Sequence, residues 1–192
     1  DPGIDAFIDE LRHGALFGGR LNRLELKFSG ASMMPFQKLK IRLKKEIVTL
    51  GDGAVDPTRQ VGTYVEPSDW NALIASPDTL VIDTRNAFEL EHGAFAQALD
   101  WRLAKFSDFP AALAQHRHEL AGRTVVTYCT GGIRCEKAAL ALRDAGVPHV
   151  WQLDGGILRY LERLPDAPHW HGRCFVFDQR ESLGADLAPA QP

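Results

Sequence analysis

The sequence predicts an α/β fold, a parallel sheet with helices on both faces, preceded by part of a small α+β domain. Three observations carry that expectation. Residues 79–83 (Thr-Leu-Val-Ile-Asp), 124–128 (Thr-Val-Val-Thr-Tyr) and 149–153 (His-Val-Trp-Gln-Leu) are dominated by apolar and β-branched residues, as strands buried on both faces are. Each is followed by a stretch of helix formers, and strands alternating with helices build parallel sheets. Ahead of them, Gly51–Gly62 is rich in turn formers and reads as a linker.

The first quarter, residues 1–50, has a different pattern. It opens on Asp1 rather than methionine and reads as cut. Ile4, Phe7, Ile8 and Leu11 fall at helical spacing, which predicts an amphipathic helix over 3–12. Leu24–Phe28 and Leu39–Ile47 alternate as strands do. One helix and two strands cannot enclose a core, so this piece is expected to be the back half of an α+β domain. In its second strand Lys38, Lys40, Arg42 and Lys44 would share one face and Leu39, Ile41 and Leu43 the other, with Lys45 adding a fifth cation. Such a stripe is either a solvated face blunted against edge pairing or a surface for an anion such as nucleic acid. The charge balance is uneven in the same sense. Residues 1–50 hold nine Lys/Arg against six Asp/Glu, while the remainder holds thirteen against nineteen.

The second unit begins near Thr63, and residues 63–166 are read as the α/β domain. Ser68 is expected to cap a helix over 69–74 that Pro77 stops. The strand 79–83 leads through Thr84-Arg85-Asn86 into a short helix, and a further helix covers 110–115. After the strand 124–128, a helix from Glu136 is expected to end at Gly146, with Pro148 behind it. The strand 149–153 then runs through Gly155-Gly156 into a helix over 157–163. Residues 167–192 form an extension. Trp170–Asp178 is expected to pack back as an extended segment with Cys174 in the core, and the residues after Ser182 to be disordered.

Function is legible at the carboxyl ends of the strands, where open parallel sheets place their sites. The loop Cys129-Thr130-Gly131-Gly132-Ile133-Arg134 joins a buried strand to a helix. Its glycines let successive N–H groups turn inward, and the helix adds its positive end. A thiol facing such a cradle ionises readily, and thiolate is the nucleophile. Cys129 and Arg134 are therefore the candidate catalytic residues, with Thr130, Gly131, Gly132 and Ile133 forming the active-site loop. Asp83, Arg85, Asn86, Gly155 and Gly156 are expected to line the same cleft. His169 and His171 alternate as a metal pair might, but nothing nearby completes a site, so neither a metal nor a bound cofactor is expected. With 45% hydrophobic and 24% charged residues the chain is of ordinary globular composition. No apolar run approaches a membrane span, and no membrane partner is expected. Three cysteines without a CxxC pair point to a reducing compartment, the cytoplasm.

Residues 63–166 resemble a rhodanese domain in Val-Ile-Asp-Thr-Arg with Glu89 shortly after, in Cys-x-x-Gly-x-Arg, and in Leu-Asp-Gly-Gly-Ile. Four residues separate Cys129 from Arg134, one fewer than in the related dual-specificity phosphatases, which disfavours phosphatase activity. Longer motifs narrow the resemblance: Lys-x-Lys-x-Arg-x-Lys-Lys-Glu-Ile-Val-Thr-Leu-Gly, Tyr-Cys-Thr-Gly-Gly-Ile-Arg-Cys-Glu-Lys with its second cysteine Cys135, and Cys-Phe-Val-Phe-Asp-x-Arg. From about Phe28 to Arg180 the chain resembles the bacterial rhodanese-related tRNA uridine hydroxylases. That resemblance implies a rhodanese-like sheet behind an acylphosphatase-like (ferredoxin-like) domain. It also implies oxygen-dependent conversion of the tRNA wobble uridine to 5-hydroxyuridine, with molecular oxygen as substrate and the anticodon loop as partner. Lys38, Lys40, Arg42, Lys44 and Lys45 would then meet tRNA. The front of the N-terminal domain and the cysteine-rich tail of many members have no counterpart here. The alternative reading is a rhodanese-type sulfurtransferase carrying a persulfide on Cys129.

Overall fold

A computed structural model describes residues 2–24, 26, 28, 31, 34, 36–38, 40–51, 55 and 62–189. It divides into two compact units, Asp1–Pro35 and Phe36–Pro192. The first unit holds helix α1 (Pro2–His13), in which Asp9 and His13 pair one turn apart at 2.8 Å. Turns follow, and Arg12 Nη2 donates to the Leu24 carbonyl at 3.1 Å. The helical spacing is real, but no residue of α1 is buried: Ile4 and Phe7 are exposed, and Ile8 and Leu11 are half-buried. The strand expected at Leu24–Phe28 falls partly outside the described residues, and Leu24, Leu26 and Phe28 belong to none.

The second unit is organised on a five-stranded sheet, order β1-β6-β5-β2-β4, with every pairing parallel. Its strands are β1 (Thr63–Val65), β2 (Thr79–Asp83), β4 (Ala98–Leu99), β5 (Thr124–Tyr128) and β6 (His149–Leu153). Side chains alternate across the sheet, so β5 sends Val125 into one core and Val126 and Tyr128 into the other. The first core closes beneath α4 (Phe109–His116) and α5 (Ile133–Asp144), through Leu113, Ala138 and Leu142. The second closes beneath α2 (Pro67–Ile74) and α6 (Gly156–Arg163), through Trp70, Ile157 and Tyr160. The short helix α3 (Ala87–Leu90) and strand β3 (Gly93–Phe95) follow β2. β3 pairs antiparallel with β7 (Trp170–Gly172), and β8 (Cys174–Phe175) pairs with β9 (Ser182–Leu183). Among the described residues no helix is long and apolar enough to cross a membrane.

Four expectations need correction. Residues 40–47 form no strand, and Ile41, expected on the buried face, is 84% exposed. A strand needs a partner for its ladder, and the pairings among the described residues give this segment none. Instead the chain is tied down at its end, where Leu50 enters the core and Lys137 holds Glu46 at 2.5 Å and the Val48 carbonyl at 2.6 Å. Helix α2 starts at Pro67 rather than behind Ser68, because proline's fixed φ and missing N–H suit the first helical position. Helix α5 starts at Ile133, three residues before Glu136, since Gly132 turns the chain at φ +88°. Its other end is as expected, with Gly146 at φ +86° and Val147 N–H donating to the Leu142 carbonyl at 3.0 Å. Finally, residues 183–189 are folded. Ser182 and Leu183 are buried in β9, and the chain turns so that Gly184 N–H meets the Ala188 carbonyl at 2.8 Å. Composition was a poor guide there, because one β-pair and the Arg173 guanidinium on the Ser182 and Ala188 carbonyls satisfy the backbone.

Phe95 binds the second core together, with ring centroids 4.7–5.5 Å from those of Tyr160, Tyr128, Trp170 and Trp70. Phe95→Ala is expected to lower stability by about 3–5 kcal/mol, as other deletions of buried rings do. Urea unfolding should show a lower midpoint at an unchanged slope; a midpoint equal to wild type would mean the core closes without it.

Candidate active site

Cys129 leaves the end of β5 and is 2% exposed. The Gly132 N–H donates to its sulfur at 3.1 Å. The loop rests on the start of α6: Ile157 N–H meets the Cys129 carbonyl at 3.0 Å, and Leu158 N–H the Thr130 carbonyl at 3.1 Å. Gly156 allows that approach, because a Cβ there would collide with the Cys129 and Thr130 carbonyls. Gly155 and Gly156 thus support the loop from beneath rather than line the cleft.

Asp83 and Arg85 also lie below the cleft and not on its wall. Their side chains are fully buried as an ion pair, with Arg85 Nη2 2.6 Å from Asp83 Oδ2 and 2.7 Å from the Gly93 carbonyl. The guanidinium is sandwiched near Tyr128 and Trp170, 5.6 and 5.5 Å from their ring centroids. An arginine buried and paired in this way presents no surface to a ligand in the cleft.

Arg134 occupies the first turn of α5. It is held by Glu89 through two parallel bonds, Nη1–Oε1 at 2.6 Å and Nη2–Oε2 at 2.8 Å. Glu89 is fully buried and also accepts the Asn86 N–H at 2.9 Å, across the start of α3. Glu89 was quoted in the motif but not counted as a site residue. Its signal was the Asn-x-x-Glu spacing that opens a helix with the carboxylate turned back on the cap.

A cleft of about 600 Å³ opens over the loop. Cys129, Thr130, Gly131, Ile133, Arg134 and Asn86 line it, as does Lys44 from the cationic stretch. Lys38, Lys40, Arg42 and Lys45 are exposed but lie off its wall. Phe106, Phe177, Ile47 and Val48 complete the lining, and nothing in the local sequence of the two phenylalanines distinguishes them from core residues. Among the described residues no group of three or more His, Cys, Asp or Glu could hold a metal ion. His171 sits exposed on β7.

Burial alone would push the Cys129 thiol up. The Cys135 side chain, the Arg134 guanidinium and the amides of Arg134 and Cys135 outweigh it and bring the group down to about 6. Cys135, which the sequence marks only as the second cysteine of the motif, belongs to the cradle, because α5 begins early enough to bring its thiol to Cys129. Its own ionisation is pushed well up by burial and by Cys129, so it stays a neutral thiol beside the thiolate. Thr84 Oγ1 lies 3.7 Å from the Cys135 sulfur. Cys174 is raised to about 12 by burial.

The two environments separate in a labelling experiment. Below about pH 6 Cys129 carries its proton and resists alkylation; above that it is thiolate, and its rate should rise and then level. Peptide mapping after iodoacetamide at pH 7 should find Cys129 modified and Cys174 intact. Modification of Cys174 first, in folded protein, would overturn both assignments.

The sequence has relatives among known proteins. A model of the Rhodanese-like domain matches residues 66–163. The chain is 58% identical over 185 residues to a tRNA uridine(34) hydroxylase of Bradyrhizobium diazoefficiens, covering 96% of this chain and 72% of that protein. It is 57% identical over 189 residues to one from Nitrobacter hamburgensis, covering 98% and 74%. A solved Rhodanese-like domain from Anabaena sp. aligns with 67% of this chain and 91% of its own at TM-score 0.47 and 18% identity. The chain belongs to the tRNA uridine(34) hydroxylase family, and residues 66–163 are its Rhodanese-like domain.

Proposed function

We propose that this chain hydroxylates carbon 5 of the uridine at position 34 of tRNA, with molecular oxygen as co-substrate and Cys129 as nucleophile. The observation that carries the reading is a thiol with lowered pKa at the floor of a cleft that also presents Lys44. A pyrimidine ring fits a cleft of this size. An unpaired loop base enters it without melting a helix. Thiolate addition to C6 would make C5 electron-rich toward oxygen, after which loss of the thiolate restores the ring. Arg134 would stabilise the thiolate and the negative charge developing on the base. One oxygen atom would stay on C5 and the other leave as water, with the two electrons and two protons supplied by two thiols of an external donor that are oxidised to a disulfide.

The anticodon loop is the segment of tRNA that the cleft would receive. Lys40, Arg42 and Lys45, exposed beside Lys44 in sequence, would neutralise its phosphates, and Lys38 would extend that contact. The high identity to tRNA uridine(34) hydroxylases supports this substrate over thiosulfate or another small sulfur donor. A tRNA-modifying enzyme of this kind works in the cytoplasm.

Incubation with unmodified tRNA in air, followed by nucleoside mass analysis, tests the reading. Uridine should gain one oxygen atom, the gain should carry label from isotopic molecular oxygen, and Cys129→Ser should abolish it while tRNA still binds. A sulfur-for-oxygen exchange, or full turnover by Cys129→Ser, would refute it.

A further inference from the structure

Beside the cleft lies an aromatic group that the chemistry at Cys129 does not use. Phe177, a cleft residue, is 62% exposed, and Phe88 on α3 is 41% exposed. Phe175 stands between them, edge-on to each, at 5.1 Å from both ring centroids. His92 adds a fourth ring 5.1 Å from Phe175. Rings of this size left in water are costly, and a contiguous exposed cluster marks a contact surface.

The platform is built rather than accidental. In Cys174-Phe175-Val176-Phe177 the alternate residues Cys174 and Val176 are buried, which turns both phenylalanines outward. The turn after Phe177 is fixed by Arg180, whose guanidinium meets Asp178 at 2.6 and 2.8 Å. Val176 N–H donates to the Glu181 carbonyl at 2.8 Å. Phe88 is anchored by α3, the helix whose Glu89 holds Arg134. The rings therefore keep a fixed relation to the catalytic loop.

We infer that Phe177, backed by Phe175 and Phe88, is a stacking subsite for an unpaired nucleobase flanking the one in the cleft. The inference rests on the RNA substrate proposed above. It commits to RNA because the same cleft carries Lys44, and exposed Lys40 and Arg42 precede it in the chain. Single-stranded RNA alternates a flat apolar base with a phosphate, which is what a ring beside a lysine complements. Stacking is indifferent to which base is presented, so the subsite would hold the loop open without selecting sequence.

An anticodon stem-loop RNA with 2-aminopurine flanking the target uridine reads stacking without turnover. Bound to wild type, its fluorescence should fall. Phe177→Leu, which keeps apolarity and loses the π face, should abolish the quenching and weaken binding roughly 5-fold or more. Phe177→Trp should retain both. Unfolding midpoints of the variants should stay near wild type, since the ring is largely exposed. Equal quenching and affinity for Phe177→Leu would overturn the subsite. So would a lowered unfolding midpoint with unchanged RNA affinity, the result expected if a segment of protein covers the rings. Ring-dependent quenching by a wild type that yields no hydroxylated uridine would sustain the subsite and refute the reaction alone.

Discussion

The Arg134–Glu89 ion pair is the contact on which the site depends. Both groups are largely withdrawn from water, and neither could be so placed without the other. Removing one partner of a buried pair typically costs about 3–5 kcal/mol, because the remaining charge is stranded. Here the two bonds do more than balance charge. Glu89 rides on α3, which follows β2, while Arg134 opens α5, which follows β5; the pair fixes the mouths of two neighbouring strands to each other. Beneath it the Asp83–Arg85 pair does the same for the strand end itself, and Arg85 reaches up to the Glu89 carbonyl at 3.5 Å. The two pairs are thus joined through Glu89, and of their four charged groups only Arg134 lines the cleft.

Arg134 is therefore the positive charge that Cys129 meets in the cleft. A thiol at 2% exposure should resist ionisation. It is lowered instead, because a neighbouring thiol, a guanidinium and helix-terminal amides converge on it. Each contributor depends on backbone that glycine makes possible: the turn at Gly132 starts α5 early, and Gly156 lets α6 press against the loop. The fold thus sets the chemistry through close approach of backbone, and Gly132 and Gly156 serve that approach as Cys129 serves reactivity.

Much of this was legible in the sequence. The strands 79–83, 124–128 and 149–153 are found with the bounds their apolar runs implied, and the motif-level resemblance to tRNA uridine hydroxylases agrees with the curated relatives. Burial on both faces leaves a strand little freedom to be anything else. What alternation could not reveal was partnership. Residues 39–47 have the period of a strand but no neighbour among the described pairings, and residues after Ser182 have the composition of a tail but a pairing with β8. Proximity across the fold was equally hidden. Asp83 and Arg85 were placed on the cleft because they sit at a strand end, yet they neutralise each other under it, and Glu89 was passed over because its partner lies 45 residues away.

The central claim is that Cys129 stands as a thiolate near neutral pH because the loop and Arg134 hold it so. Thiolate absorbs in the ultraviolet where thiol does not, so a pH titration of native protein reads the claim directly, with Cys129→Ser as the blank. Wild type should show one thiolate appearing near pH 6. In Arg134→Met, checked for native circular dichroism, the midpoint should move upward, since a positive charge that favoured the anion is gone. A wild-type midpoint at the ordinary thiol value, or one that Arg134→Met leaves in place, would contradict the account.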